Sequence, residues 1–392
     1  MSNPVKQDIA EQLSSTPSSY AAANNPRVPP YKFLDSWRGL AAIWVALFHA
    51  AEVMILGFHA NRHALIYVIA SQGQLGVQLF FVISGYCIVN AADGIIRKNQ
   101  SVKDYAKARA RRIYPTYWAA LVITALLSIG AEWFVKAGIF HSSVLGSSDV
   151  MSQPPLWFFS NITLTSLAFG HALMVMQAWT LCYEVAFYLI LGIFLAVAVR
   201  RKSSNTLCYS SHLLTAMCLL WLLAAPYRIP YPLDLWPQFG FGVILYHLVK
   251  DPKDKKVKMV AIITIVITLI LAVLRHNQVG HVGQTISSQF PFALIFAVLL
   301  YVAHPYDSRI SSIKPLKALS FVGLFSYSLY LTHTFSIGLV SQGIKLLNLP
   351  TSYDILYYIM MIGGALLFGY GFFKIFEEPF LNSNSHNNVI KP

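Results

Sequence analysis

Ten apolar stretches near the length of a bilayer crossing follow one another along this chain, and they limit its fold more than any motif does. They cover residues 38–58, 74–95, 113–132, 177–199, 206–225, 233–249, 258–274, 286–303, 319–340 and 354–374. A crossing takes about 20 mostly apolar residues. Backbone groups in hydrocarbon must bond within their own segment or within a closed barrel, so runs of this length predict helices. The sixth stretch is short, and the fourth and ninth carry polar groups. Segment 155–176 is borderline and reads as re-entrant or interfacial. The composition agrees: 56% of residues are hydrophobic and 11% charged, against roughly 25% charged in soluble domains. The expected fold class is an all-α polytopic bundle of about ten transmembrane helices.

Charge placement orients the bundle. A net charge of +13 could attract nucleic acid in a soluble protein, but in a membrane protein Lys and Arg first mark the cytoplasmic loops. With both termini inside, ten spans leave only Arg62, Lys136, Arg228, Arg275 and Lys345 outside, out of 29 Lys and Arg. One span more or fewer near the middle would invert half of that asymmetry. Residues 1–30, rich in Ser, Pro, Asn and Ala, read as a flexible polar cytoplasmic tail, not a signal peptide. Residues 382–392 read as a second short polar tail, and 31–381 as one transmembrane domain. The four cysteines, Cys87, Cys182, Cys208 and Cys218, lie in or beside apolar segments with no CxxC pair. They read as membrane-embedded thiols, and no metal site is expected from them.

Titratable side chains inside such stretches are costly and mark functional positions. In LDSWRGLAAIWVALFHA, residues 34–50, Arg38 and His49 are 11 positions apart. Three helical turns put them on one face, about 16 Å apart along the axis, with Asp35 one turn before Arg38. The plain alternative is a snorkelling arginine and a histidine bonded to a neighbouring helix. In GQLGVQLFFVISGYCIV, residues 73–89, Gly73, Gly76, Ser84 and Gly85 suit close helix packing, or room for a narrow ligand chain. The loop RKNQSVKDYAKARARRIYPTYW, residues 97–118, concentrates Arg97, Lys98, Lys103, Lys107, Arg109, Arg111 and Arg112 against a single acid, Asp104. Topology or anionic lipid headgroups would account for such a run. Arg109 and Arg112 also share a helical face, and arginine binds phosphate bidentately, so a nucleotide-bearing polyanion fits this mouth. Glu184, in WTLCYEVAFY, falls in the outer half of the fourth stretch and needs a partner, for which a histidine is the economical choice. FSYSLYLTHTF brings His333, Tyr330 and other hydroxyls to the ninth. There is no GxSxG elbow, P-loop, HExxH or Rossmann glycine fingerprint.

In order and spacing, LDSWRGLAAIWVALFH, GVQLFFVISGYCI, RARRIYPTYW, WTLCYEVAFY, SYSLYLTH and FEEPF resemble the acyltransferase-3 membrane O-acyltransferases, over about residues 31–381. The resemblance implies a ten-span enzyme of the bacterial cytoplasmic (inner) membrane. It would move an acyl group, commonly acetyl from acetyl-CoA, to a hydroxyl of a carbohydrate acceptor, without a metal. The family's essential Arg and His fall on Arg38 and His49, its paired arginines on Arg109 and Arg112, and its span-four Glu on Glu184. Ser36 and Trp37 depart from the Gly–Leu of many members. Some members append an extracytoplasmic domain; here direct transfer or a separate extracytoplasmic partner protein is expected. On this reading acyl-CoA is held by Arg38, Arg109, Arg111 and Arg112. His49 acts as general base or acyl carrier, oriented by Glu184, with Asp35, His333, Ser84 and Tyr330 in support. The competing reading is a transporter of a glycan or small anion with a buried His/Glu proton relay.

Overall fold

The computed structural model describes residues 31, 33–136, 150–225, 229–275, 289–310, 312–347 and 353–382. The expected tail over 1–30, the residues after 382 and Arg228 lie outside the described residues. Among those described, regular structure is helical and no strand forms. Each expected stretch contains a helix: α1 Leu34–Gly57, α2 Gly76–Arg97, α3 Val102–Lys136, α4 Ala178–Arg200, α5 Ser204–Ala224, α6 Trp236–Lys250, α7 Lys255–Arg275, α8 Phe290–Ala303, α9 Ser326–Leu346 and α10 Asp354–Phe372. Eight helical segments among the described residues are long and apolar enough to cross a membrane.

The other two, α6 and α9, fall short for physical reasons. At 15 residues, α6 extends about 22 Å, less than the roughly 30 Å of hydrocarbon. All its residues except Leu248 and Lys250 are buried, so the bundle and not lipid surrounds it. α9 is diluted by hydroxyls and His333, and most of those polar groups are buried too. The ninth stretch is also not one helix: Lys314–Leu324 ends at Phe325 and α9 begins at Ser326. The basic run taken as a loop is helical from Val102, so α3 reaches 35 residues. Segment 155–176 forms two short helices, Pro155–Ile162 and Ser166–Phe169, neither of spanning length.

Small residues set two close crossings. Gly85 of α2 faces the backbone of Phe239 in α6, and Gly242 of α6 faces the backbone of Val82 in α2; a Cβ at either would collide with a carbonyl oxygen. Gly39 of α1 and Gly323 of the Lys314–Leu324 helix meet in the same reciprocal way, at Leu319 and Asp35. Such contact lets backbones approach within the membrane, where packing takes over from the hydrophobic effect. The start of α1 is then pinned. Ser36 Oγ donates to Leu316 O at 2.9 Å, Phe33 N donates to Asp307 Oδ1 at 2.7 Å, and Tyr31 OH donates to Leu300 O at 2.7 Å. Arg38 lies two residues beyond Ser36 on the same helix.

Candidate active site

A cavity of about 150 Å³ opens between α1, α2, α3, α4 and α9. Arg38, Arg109 and Arg112 all line it, with Glu184 as the one acidic lining residue. Three guanidinium groups against one carboxylate make the wall electropositive. Each arginine is held differently. Arg38 pairs with Asp35 at 3.7 Å, one turn back on α1. Arg112 reaches Glu377 at 3.8 Å. Arg109 lies over the Tyr188 ring, 6.0 Å from its centroid, and its buried Nε has no hydrogen-bond partner.

Glu377 is 1% exposed and sits in a π-helical turn, Phe373–Glu377, that follows α10. It accepts from Ser328 N at 3.2 Å and Ser328 Oγ at 2.6 Å. The wider π turn brings this carboxylate under α3, and the carboxylate fixes one of the three cavity arginines. Glu184 accepts from Ser84 Oγ at 2.7 Å and from Tyr188 OH at 2.6 Å, both at Oε1. The partner expected for it is a histidine; the partners it has are hydroxyl donors, at the wall of the arginine cavity. Arg111 belongs to the same basic run but does not line the cavity; its helical position turns it away from Arg109 and Arg112.

His49 lies outside the lining as well. Its carboxylate partner is Glu52, three residues on along α1, with Nδ1 2.9 Å from Oε2. A carboxylate only accepts, so Nδ1 carries a proton, and in the neutral ring Nε2 is the atom with the free lone pair. The imidazole packs against His333 of α9, ring centroids 5.1 Å apart. His333 is fully enclosed: its Nδ1 donates to Tyr330 O at 2.8 Å, and its Nε2 is buried without a partner. Tyr330 lies 5.8 Å from His333, ring to ring, and lines the cavity. It accepts from Thr180 Oγ1 at 2.8 Å and donates to Gln177 O at 3.3 Å. One line of rings therefore joins the arginine cavity to His49.

Of the residues singled out from sequence, Arg38, Ser84, Arg109, Arg112, Glu184 and Tyr330 meet at the cavity, and His333 stands beside His49. Asp35 supports Arg38 as its spacing implied. Sequence reasoning missed Glu52, although its i,i+3 spacing from His49 is readable. It also missed Glu377, inside the FEEPF motif already noted, and the gathering of Cys208, His212 and His247, whose donor atoms lie within 4.8 Å of one another.

Comparison with known proteins supplies a lineage. The chain is 25% identical to peptidoglycan O-acetyltransferase OatA of Listeria monocytogenes, over 92% of this chain and 57% of that protein. It therefore spans little more than half the length of that relative. It is 26% identical to exopolysaccharide production protein ExoZ of Rhizobium meliloti, over 88% of this chain and 96% of that protein. No solved structure matches. The sequence profile of the acyltransferase-3 family, described as an acyltransferase domain, matches residues 31–370, almost the whole described bundle, and the chain belongs to that family.

Proposed function

We propose that this protein is an integral-membrane O-acyltransferase that moves an acyl group, acetyl first, from cytoplasmic acyl-CoA to a hydroxyl of a cell-surface polysaccharide or oligosaccharide. The observation that carries the reading is the convergence of Arg38, Arg109 and Arg112, from two helices, on one cavity. Coenzyme A carries several phosphates on one end and a thin pantetheine arm on the other. Guanidinium groups grip phosphate oxygens in pairs, and the apolar remainder of the cavity suits the arm. Glu184 balances part of the arginine charge and holds the Ser84 and Tyr188 hydroxyls against the wall.

The chemistry is assigned to His49. With its proton fixed on Nδ1 by Glu52, the imidazole offers Nε2 to a hydroxyl of the acceptor. Nε2 takes the hydroxyl proton as the oxygen attacks the thioester carbonyl. The C–S bond then breaks, and the proton passes to the departing thiolate, giving the ester and free CoA. The same lone pair would serve an acyl-imidazole route, in which the acyl group rests on His49 before reaching the acceptor. The names of the two relatives, one for peptidoglycan and one for exopolysaccharide, favour a glycan acceptor, delivered at the outer side of the bacterial cytoplasmic membrane.

The test compares surface glycans from cells lacking the protein with those from complemented cells by mass spectrometry. Complementation should add the mass of one acyl group per modified unit. In isolated membranes, CoA release from acetyl-CoA should depend on added acceptor. Substrate movement across the membrane without thioester consumption would overturn the reading in favour of transport.

A further inference from the structure

A second cluster of chemically capable side chains lies between α5 and α6, away from the cavity. Cys208 and His212 are four residues apart on α5, so they share a face, and His247 projects from the last turn of α6. All three are buried, and one donor atom from each lies within 4.8 Å of the other two. The two imidazole centroids are 4.9 Å apart. None of the three lines the arginine cavity.

Two features of the cluster point to a ligand and not to simple packing. His212 is 5% exposed, yet neither of its ring nitrogens has a hydrogen-bond partner. A buried polar group left in that state is costly and rare. His247 Nδ1, by contrast, donates to Val243 O at 3.0 Å. That bond fixes the tautomer and leaves Nε2 unprotonated, the arrangement in which metal-bound histidines are usually supported. A thiolate with two imidazoles is a donor set that zinc favours over calcium or magnesium. Zinc bonds of about 2.0–2.3 Å imply donor separations of roughly 3.3–3.8 Å in a tetrahedron. The observed separations, up to 4.8 Å, are at most about 1 to 1.5 Å wider than that, so binding would require the side chains to draw together, with water as the fourth ligand.

We propose that Cys208, His212 and His247 bind a zinc ion that ties α5 to α6 at the ends assigned to the cytoplasm. Binding replaces the thiol proton of Cys208, which passes to solvent, and satisfies a nitrogen of His212. The clamp acts on α6, whose Gly242 is seated against α2; it is a structural site, separate from acyl transfer.

Full-length protein purified in detergent and exposed to zinc, then dialysed against metal-free buffer, should retain about one zinc per chain by elemental mass spectrometry. Cys208→Ser and His212→Leu should fall to background. In wild type the thermal midpoint should rise with zinc and drop with a chelator, while His212→Leu should respond to neither. His212→Leu also removes the unpartnered imidazole, so it should melt no lower than chelator-treated wild type. If that variant does not fold, cobalt binding to wild type decides: a thiolate-to-cobalt charge-transfer band supports the site and its absence overturns it. Equal zinc retention by wild type and Cys208→Ser would overturn it too.

Discussion

The arginine cavity and the His49 station sit on the same first helix but are built in opposite ways. The cavity draws on five helices, and its charges are tethered across them, Arg112 to a carboxylate beyond α10 and Glu184 to a hydroxyl of α2. The His49 station needs only α1 for its ion pair, with α9 contributing one neighbouring ring. A multiply charged donor has to be surrounded, which no single helix can do. A proton acceptor has to be one atom with a fixed tautomer, which one turn of helix can arrange. On the proposed function, donor binding is thus a property of the assembled bundle, whereas the reactive group is nearly local.

That contrast predicts separable defects. The largest is expected at His49→Ala: loss of a positioned base should lower kcat by about 10²–10⁴-fold while leaving acetyl-CoA binding near wild type. A parallel loss of donor binding, read by isothermal titration in detergent, would break the division between the two regions. Glu52→Gln should follow, since a charge-assisted hydrogen bond of about 1.5–3 kcal/mol corresponds to roughly 10- to 150-fold in kcat. Unchanged turnover in that variant would remove Glu52 from the site. Arg112→Lys keeps the charge but loses the planar fork, so KM for acetyl-CoA should rise about tenfold with kcat little altered. The smallest effect belongs to Asp35→Asn, a partly exposed pair of the kind worth about 0–1 kcal/mol. Less than about a fivefold change in KM is expected there, measured in the same steady-state assay.

The sequence exposed the helices well and the partners poorly, for identifiable reasons. Hydrocarbon imposes length and apolarity on whatever faces it, so stretches such as those of α1, α4 and α10 were legible. That rule lost hold on α6, which the bundle covers, and on α9, whose hydroxyls are satisfied internally. Arg38, Arg109, Arg112 and Glu184 were visible because charge in an apolar setting is conspicuous. That Glu377 serves Arg112 was not, because that pairing depends on how the helices are arranged. The bond from Thr116 to Phe376 spans 260 residues, and Arg112 and Glu377 meet across the same junction. His212 and His247 are likewise ordinary in sequence and become notable only when α5 and α6 lie side by side.

The burial of α6 also bears on how the molecule is made. A helix of 15 residues offers an insertion machine too little apolar length to be released into lipid on its own account. Its packing comes from α2, α5, α7 and α8. Two of those precede it in the chain and two follow. A nascent chain that has reached only the end of α6 therefore holds only half of the helices that will cover it.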